Sequence, residues 1–308
     1  MSDIKVSIII PHFNLPRLLM ELLDSIPDIP EIQVIVVDDN SQKNLDVLEE
    51  CRKKYSSRNV EFYKNNREKG AGNSRNVGLE HAKGEWLMFA DSDDRFLEGF
   101  YDKVAEYFNK DIDLVLFVPT SLDIETGKIS NRHETFKKHY MNYYNNPTLK
   151  NEVRARYRPV APWSKLMRRS VITENDIWFQ NSKVGNDAMF SAMSSFYCKR
   201  MCVDTNEIYC NYYRGGSLTT QLDVETMRHR ASVLAGRYRF LKEHLSKKEM
   251  KYLGLSGLDI YLLDLKYGHG LMEVFRMMKY FRKQGVKVID WGEFFKLFRL
   301  STLKRIKK

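Results

Sequence analysis

Residues 6–14 read VSIIIPHFN, a β-branched run over Val6–Ile10 that stops at Pro11 and ends in the polar His12–Asn14. Such a run reads as a buried strand with a polar carboxyl end. Residues 15–26 follow with Leu15, Leu18, Leu19, Leu22, Leu23 and Ile26 at helical spacing, stopping at Pro27. The unit then repeats. Gln33–Val37 is a second buried strand closed by Asp38–Ser41, and a helix is predicted over about 44–55. A strand at Val60–Tyr63, a helix opening near Gly72 and a strand at Trp86–Ala90 complete the series. Helices alternating with apolar strands predict an α/β fold, a mostly parallel twisted sheet flanked by helices on both faces. Ligands of such sheets bind beyond the carboxyl ends of the strands. Here those ends carry His12–Asn14, Asp38–Ser41 and Asp91–Asp94.

After Leu114–Val118 the pattern loosens. Residues 120–160 are polar, aromatic and basic without a clear period, and suit a variable insertion. Organisation returns at Trp163–Ile172 and Gly185–Phe196, and from about residue 224 the chain reads as helical. The expected division is an α/β catalytic domain over 1–217 and a helical, basic C-terminal region over 218–308.

The chain has 308 residues, 43% hydrophobic and 29% charged, which excludes collagen-like, disordered and disulfide-scaffold classes. Its net charge of +10 is uneven. Residues 266–308 hold 12 Lys/Arg against three acids, a surplus of +9, so residues 1–265 are close to neutral. That near-neutral body, with no recognised nucleic-acid module, argues against a nucleic-acid partner. The cysteines Cys51, Cys198, Cys202 and Cys210 form no CxxC pair and have no histidine beside them, so free thiols in a reducing compartment are expected. The opening MSDIKVSIII is too short and too early for a signal peptide, and no run of about 18 uncharged apolar residues predicts a membrane-spanning helix. The expectation is a cytoplasmic protein, or one peripheral on the inner face of the cell membrane.

Five segments carry groups that could do chemistry. Asp91-Ser92-Asp93-Asp94 ends a strand, and its carboxylates repel one another unless a cation is present. Alternate residues of an extended chain point to opposite sides, so Asp91 and Asp93 converge only where the backbone turns. The tetrapeptide fits a hard divalent metal carrying phosphates, or a solvated acidic loop, or a helix N-cap before Phe96. Asp38-Asp39-Asn40-Ser41 fits an Asx turn, or a carboxylate accepting from a nucleobase or ribose. The Gly-rich stretch 69–78 lacks dinucleotide or Walker spacing, yet a helix opening there with Arg75 in its first turns can face a phosphate or sugar. Asn186-Asp187 opens an amphipathic segment, where an acid commonly caps a helix. Tyr212–Ser217 is a glycine hinge holding Arg214, fit for a mobile cover or an ordinary turn.

Taken in order, SIIIPHFN (7–14), IVVDDNS (35–41), GAGNSRNVGLEHAKGEW (70–86), FADSDD (89–94), WSKLMRRS (163–170), GNDAMF (185–190) and YYRGGS (212–217) resemble family-2 glycosyltransferases of the GT-A fold. The resemblance covers roughly residues 4–217. It implies transfer of a sugar from a nucleotide sugar, usually a UDP-sugar, with inversion at the anomeric carbon. It implies that Asp39 holds the base with Pro11 and Phe13 as its wall, and that Asp91 and Asp93 are the Asp-x-Asp pair. Asp93 would then be the main ligand of Mn²⁺ or Mg²⁺, with Asp91 near ribose or metal. Arg75 would lie close to the donor, Asp187 would match the catalytic base, and Arg214 would close on the diphosphate. Asn186-Asp187 departs from the Glu-Asp common in the family. The absence of a QxxRW motif and of membrane spans argues against a processive synthase.

Two rivals stand beside this reading. A nucleotidyltransferase should carry a Gly-rich basic signature after its first strand, where this chain has PHFN. A non-catalytic membrane-surface scaffold would not need Asp39, Asp91, Asp93 and Asp187 together. The resemblance also points to a glycan or lipid-linked glycan acceptor in surface polysaccharide assembly. In the tail, Leu271, Val274, Phe275, Met278 and Phe281 recur at helical spacing beside Arg276, Lys279, Lys283 and Lys287. Trp291, Phe294, Phe295 and Phe298 repeat the stripe. Basic aromatic helices of this kind lie in an anionic membrane interface, the reading favoured here, or pack on the domain with solvated lysines.

Overall fold

The computed structural model describes residues 4–182, 184–213, 223–258, 260–262 and 269–288. Four parallel strands form its first half: β1 (Val6–His12), β2 (Ile32–Asp38), β3 (Val60–Lys64) and β4 (Trp86–Phe89), in the order β3-β2-β1-β4. The helices α1 (Pro16–Asp24), α2 (Leu45–Lys54) and α3 (Ala71–His81) make the crossovers. Proline opens α1, where a missing N–H costs nothing, and the helix buries Leu19, Leu22 and Leu23. All seven residues of β1 are buried, and they alternate between two cores. Ile8 and Ile10 pack with α1 and α2, whereas Ile9 packs with Val77 and Leu79 of α3. After β1 the chain moves to one side of the sheet for β2 and β3, then to the other for β4. The reversal leaves a crevice at the carboxyl end of β1.

The second half of the sheet is mixed. Strand β7 (Lys165–Arg168) pairs antiparallel with β4 and with β6 (Leu114–Asp123). Next to β6 runs β8 (Met201–Tyr213), parallel to it, and β5 (Arg95–Phe96) closes the edge antiparallel to β8. Four of the seven pairings are parallel. The sheet is therefore the α/β sheet expected, with its parallel character concentrated in the first half. Where a capped helix before Phe96 was one expectation, the chain instead enters β5. The helix α4 (Phe100–Ala105) starts four residues later.

Two regions differ from the sequence expectation. Residues 120–160 are not an unpatterned insertion: they continue β6 and then form α5 (Glu134–Asn145) and α6 (Leu149–Tyr157). Few apolar side chains mark these helices because each buries only a narrow strip, Tyr140 on α5 and Val153, Ala155 and Tyr157 on α6. Phe136 of α5 stacks on Trp163 at 4.7 Å, and Trp163 lies parallel to Tyr209 of β8 at 5.8 Å. The segment thus packs into the body of the protein.

The tail stripe is the second difference. Two short helices, α7 (Arg169–Glu174) and α8 (Asp187–Tyr197), precede β8, and α9 (Val224–His244), α10 (Lys247–Leu253) and α11 (Leu271–Lys283) follow it. Met227, Ala231, Tyr238 and Leu241 of α9 share an apolar core with Val153 and Tyr157 of α6, Ala192 of α8, and Val274, Met277 and Phe281 of α11. On α11 the single stripe read from the sequence is in fact two faces. Val274 and Phe281 point inward, while Leu271, Met272 and Phe275 are 67%, 72% and 64% exposed. Glu273 sets that rotation, because it is buried and accepts from Arg228 of α9 at 2.7 and 2.9 Å. The stripe at 291–303 lies outside the described residues.

Candidate functional site

The carboxyl ends of β1, β2 and β4 converge, and short polar side chains bind the loops that leave them. His12 ends β1 opposite Asp38 of β2. The backbone N–H of Leu15 donates to His12 Nε2 at 3.1 Å, so the ring proton sits on Nδ1 and donates to Asp38 Oδ1 at 3.0 Å. Ser41 donates its hydroxyl to the same oxygen and its N–H to Asp38 Oδ2 at 3.1 Å. Burial pushes Asp38 up, but the hydrogen bonds from His12 and Ser41 outweigh it and hold the carboxyl below its ordinary value. Asp38 thus makes the Asx turn.

Its neighbour Asp39 turns the other way. Asp39 Oδ1 accepts from Asn65 Nδ2 at 2.6 Å, from the N–H of Gly70 at 3.0 Å and from the Ser74 hydroxyl at 3.3 Å. The carboxylate expected at the nucleobase therefore also fixes the Gly-rich loop and the first turn of α3. Pro11 is buried in β1, and Phe13 emerges beyond it with the Lys69 ammonium 3.7 Å over its ring.

Helix α3 is polar yet buried, because its polar side chains bind backbone that carries no secondary structure. Asn76 Nδ2 donates to the Phe179 carbonyl at 2.9 Å and Asn76 Oδ1 accepts the Phe179 N–H at 2.8 Å. Asn73 donates to Glu68 O and to Asn181 Oδ1. At Gly72 a Cβ would lie 2.5 Å from the Gln180 carbonyl and 2.9 Å from Asn186 Cβ. Only glycine lets α3 approach the segment leading into α8 this closely. The sequence placed Arg75 here but gave Asn73 and Asn76 no role. The signal was present in retrospect: a helix whose inward positions are asparagines must hydrogen-bond something.

Arg75 is 6% exposed and joins two of the expected elements. Its Nη2 donates to Asp91 Oδ1 at 2.5 Å, and its Nη1 donates to Asn186 Oδ1 at 2.9 Å. Its guanidinium lies 5.3 Å over the ring of Phe179, which stacks on Phe190. The backbone turns at 91–94, closed by Asp94 N–H to the Asp91 carbonyl at 3.0 Å. Asp91 and Asp93 are left partly exposed while Ser92 and Asp94 are buried. Asp94 is held by β8: it accepts from the Tyr209 hydroxyl at 2.7 Å, from Asn211, and from Tyr212 N–H at 2.8 Å. Tyr209 in turn accepts the Asp91 N–H at 2.9 Å. Burial, joined by the charges of Asp91 and Asp93, pushes Asp94 well above the ordinary carboxylate value, against the pull of those hydrogen bonds.

Asp187 begins α8 directly after Asn186, so the Arg75 bridge ties the start of that helix to the Asp91–Asp93 turn. Burial pushes its carboxyl up, opposed by the charge of Arg75. A carboxylate so shifted is a better proton acceptor near neutral pH. The expected residues Pro11, Phe13, Asp39, Arg75, Asp91, Asp93 and Asp187 thus fall along one edge of the sheet. Arg214 lies outside the described residues.

Asp91 and Asp93 offer hard carboxylate oxygens from a turn open to the crevice. That donor set fits a divalent cation whose remaining ligands are phosphate oxygens and water. Among the described residues no group of three or more His, Cys, Asp or Glu side chains stands ready to hold a metal alone. No helix among them is long and apolar enough to cross a membrane.

Comparison with known proteins agrees with this geometry. The model of the family described as Glycosyl transferase family 2 matches residues 7–175, more than half of the chain. The poly(ribitol-phosphate) beta-N-acetylglucosaminyltransferase TarS of Staphylococcus aureus is 28% identical over 225 residues, covering 68% of this chain but only 35% of that protein. The chain thus spans about a third of the length of that relative. Among solved structures, S. aureus TarS 1–349 in complex with UDP-GlcNAc superposes with a TM-score of 0.67 at 22% identity, over 91% of this chain and 80% of that one. A mannosyltransferase from Pyrobaculum calidifontis, in complex with GDP-Man and Mn²⁺, superposes with a TM-score of 0.58 at 16% identity, over 91% and 75%. These likenesses establish the GT-A fold of this chain.

Proposed function

Because the chain belongs to glycosyl transferase family 2, we propose that it moves a single sugar from a nucleotide sugar, a UDP-sugar, to a hydroxyl of a glycan acceptor, with inversion. The observation that carries the proposal is the Arg75 bridge, which ties the Asp91–Asp93 turn to the start of α8, where Asp187 stands. A leaving-group site and a base on opposite sides of one sugar are what direct displacement needs.

In this mechanism Asp39, with Pro11 and Phe13 beside it, receives the base, and Arg75 orients the donor against the Asp91 carboxylate. A sugar hydroxyl is a poor nucleophile until its proton is taken. Asp187 accepts that proton as the acceptor oxygen forms its bond to C1 and the bond from C1 to the diphosphate oxygen breaks. The nucleoside diphosphate departs from the opposite face, which inverts the anomeric centre. Mn²⁺ or Mg²⁺ held by Asp93 with Asp91 would offset the charge growing on the diphosphate. Arg214 is proposed to add a cation on the same side.

We further propose that the acceptor is lipid-linked and that α11 rests on an anionic membrane face as part of surface polysaccharide assembly. Support comes from its outer face: exposed Leu271, Met272 and Phe275 in the first half, Arg276, Lys279, Arg282 and Lys283 in the second. A protein at the inner face of the cell membrane would meet such an acceptor. Sedimentation with phosphatidylglycerol vesicles, lost on changing the three apolar residues to serine, is the outcome expected.

The experiment that tests the transfer reading is a thermal-shift panel of UDP-, GDP- and dTDP-sugars with Mn²⁺, followed by release of the diphosphate in the presence of acceptor. Asp187→Asn should lower turnover by ~10²–10⁴-fold and leave UDP affinity within about twofold. Turnover near the wild-type level in that variant would exclude Asp187 as the base.

A further inference from the structure

Three carboxylates crowd the turn after β4, and the transfer reading uses only Asp91 and Asp93. The third, Asp94, is 2% exposed, and both its oxygens are occupied. Oδ1 accepts from Tyr212 N–H at 2.8 Å and from Asn211 Nδ2 at 3.0 Å. Oδ2 accepts from the Tyr209 hydroxyl at 2.7 Å and from the same Asn211 nitrogen at 2.9 Å. A carboxylate has about four lone-pair sites, so Asp94 has none left for a cation. Its work is to be held by β8.

Tyr209 and Asn211 are alternate residues of β8, so their side chains stand on one face of the strand. Tyr209 is fully buried, edge-on to Phe96 at 5.3 Å. Its hydroxyl has one proton, which goes to Asp94, so a lone pair meets the Asp91 N–H at 2.9 Å. One hydroxyl thereby joins both ends of the turn. The backbone closes the turn between the same two residues, from Asp94 N–H to the Asp91 carbonyl at 3.0 Å. Directly after it, Arg95 and Phe96 pair with Cys210 and Tyr209. Asp93, between the two tied ends, is carried on a turn whose shape β8 sets.

We propose that Asp94, Tyr209 and Asn211 are positioning residues that hold the Asp91–Asp93 turn ready for the metal and diphosphate end of the donor. Carboxylates gathered in one short turn repel, so a turn left free would open and the cation would have to order it. A turn already tied at both ends spares that cost. Groups that orient ligating carboxylates commonly weaken metal binding by roughly 10–100-fold when they are lost. Tyr209 and Asn211 lie beyond the family-matched residues 7–175, so the matched segment alone does not complete this side of the site. The inference rests on Asp91 and Asp93 holding the metal, and its test separates the two.

The test is Tyr209→Phe in the full chain, which keeps the ring against Phe96 and removes only the hydroxyl. UDP binding is followed by calorimetry across a range of Mn²⁺ concentrations. The Mn²⁺ concentration giving half-maximal UDP binding should rise about tenfold, with UDP affinity in the absence of metal within about twofold of wild type. With neither metal nor nucleotide present, amide exchange across residues 90–95 should quicken about tenfold. Asn211→Ala should show the same pattern more weakly, because Tyr209 and Tyr212 still hold Asp94, and it carries the test if Tyr209→Phe fails to fold. A lowered Tm with an unchanged Mn²⁺ requirement means that the network serves the fold alone and overturns the proposal. Unchanged exchange across the turn overturns it as well, as does an equal loss of UDP affinity with and without Mn²⁺. Asp93→Ala tests the reading beneath. If that variant keeps Mn²⁺-dependent UDP binding, the metal is held elsewhere and both ideas fall. If it loses that binding while Tyr209→Phe matches wild type, only the positioning role falls.

Discussion

Replacing Arg75 with methionine keeps most of its stem volume over Phe179 and removes the guanidinium that joins α3 to Asp91 and Asn186. Breaking a fully buried ion pair costs about 3–5 kcal/mol. The Asp91 side chain is 34% exposed, so water recovers part of that, and about 1–2 kcal/mol is the discounted figure. The bond to Asn186 is charged on one side and adds about 1.5 kcal/mol. The expected loss is about 3 kcal/mol, measured as the midpoint shift in urea unfolding at constant slope. Kinetics should move with it. Arg75 lowers the Asp187 carboxyl, so removing that cation raises it, and the acidic limb of the kcat profile should shift toward higher pH. Arg75→Lys should restore part of the charge effect but not the two-ended bridge, since an ammonium has no planar fork. A methionine variant within about 0.5 kcal/mol of wild type, with an unmoved acidic limb, would refute the bridge as the link between the two sides of the site.

Three other outcomes are expected. Asp93→Ala should abolish the Mn²⁺-dependent part of UDP binding in calorimetry and leave the metal-free part unchanged. The folded Asp38 carboxyl lies below its unfolded value, so its contribution is fully present above about pH 4 and is lost as pH falls through the folded value. Asp38→Asn should thus be destabilised most above the unfolded carboxyl value of about 3.9 and approach wild type only as pH falls through the lower folded value, as read by denaturant unfolding in acid. Gly78→Ala would put a Cβ 2.4 Å from Ile9 Cγ2 of β1, and should cost about 1–3 kcal/mol by the same assay with little effect on UDP affinity.

The first half of the sheet was legible because its strands are buried on both faces and each ends abruptly in turn residues. Val6–Ile10 and Gln33–Val37 leave little room for another assignment. Strand β8 escaped for the opposite reason. Its pairing with β6 slips between Phe117 and Val118 and again between Val118 and Thr120, and Asp204–Glu207 interrupts its alternation. Helices α5 and α6 escaped because each buries so little. At the site, acids grouped at strand ends could be read as a group, but neighbouring carboxylates could not be told apart. Asp38 makes the turn while Asp39 reaches α3, and only the three-dimensional placement of Asn65, Gly70 and Ser74 decides this.

The column formed by Phe136, Trp163 and Tyr209 has a consequence for engineering the protein. A relative's segment could be grafted over residues 120–160 to test whether this stretch, with α5 and α6, sets the acceptor. Yet Tyr209 holds both the Asp91 amide and the Asp94 carboxylate, so the far end of that column is the turn on which donor binding is proposed to rest. A graft that loses the aromatic ring at position 136 would disturb the donor while aiming at the acceptor. Chimeras should therefore carry Phe136 over unchanged, and a transplant that fails should be checked first for UDP affinity.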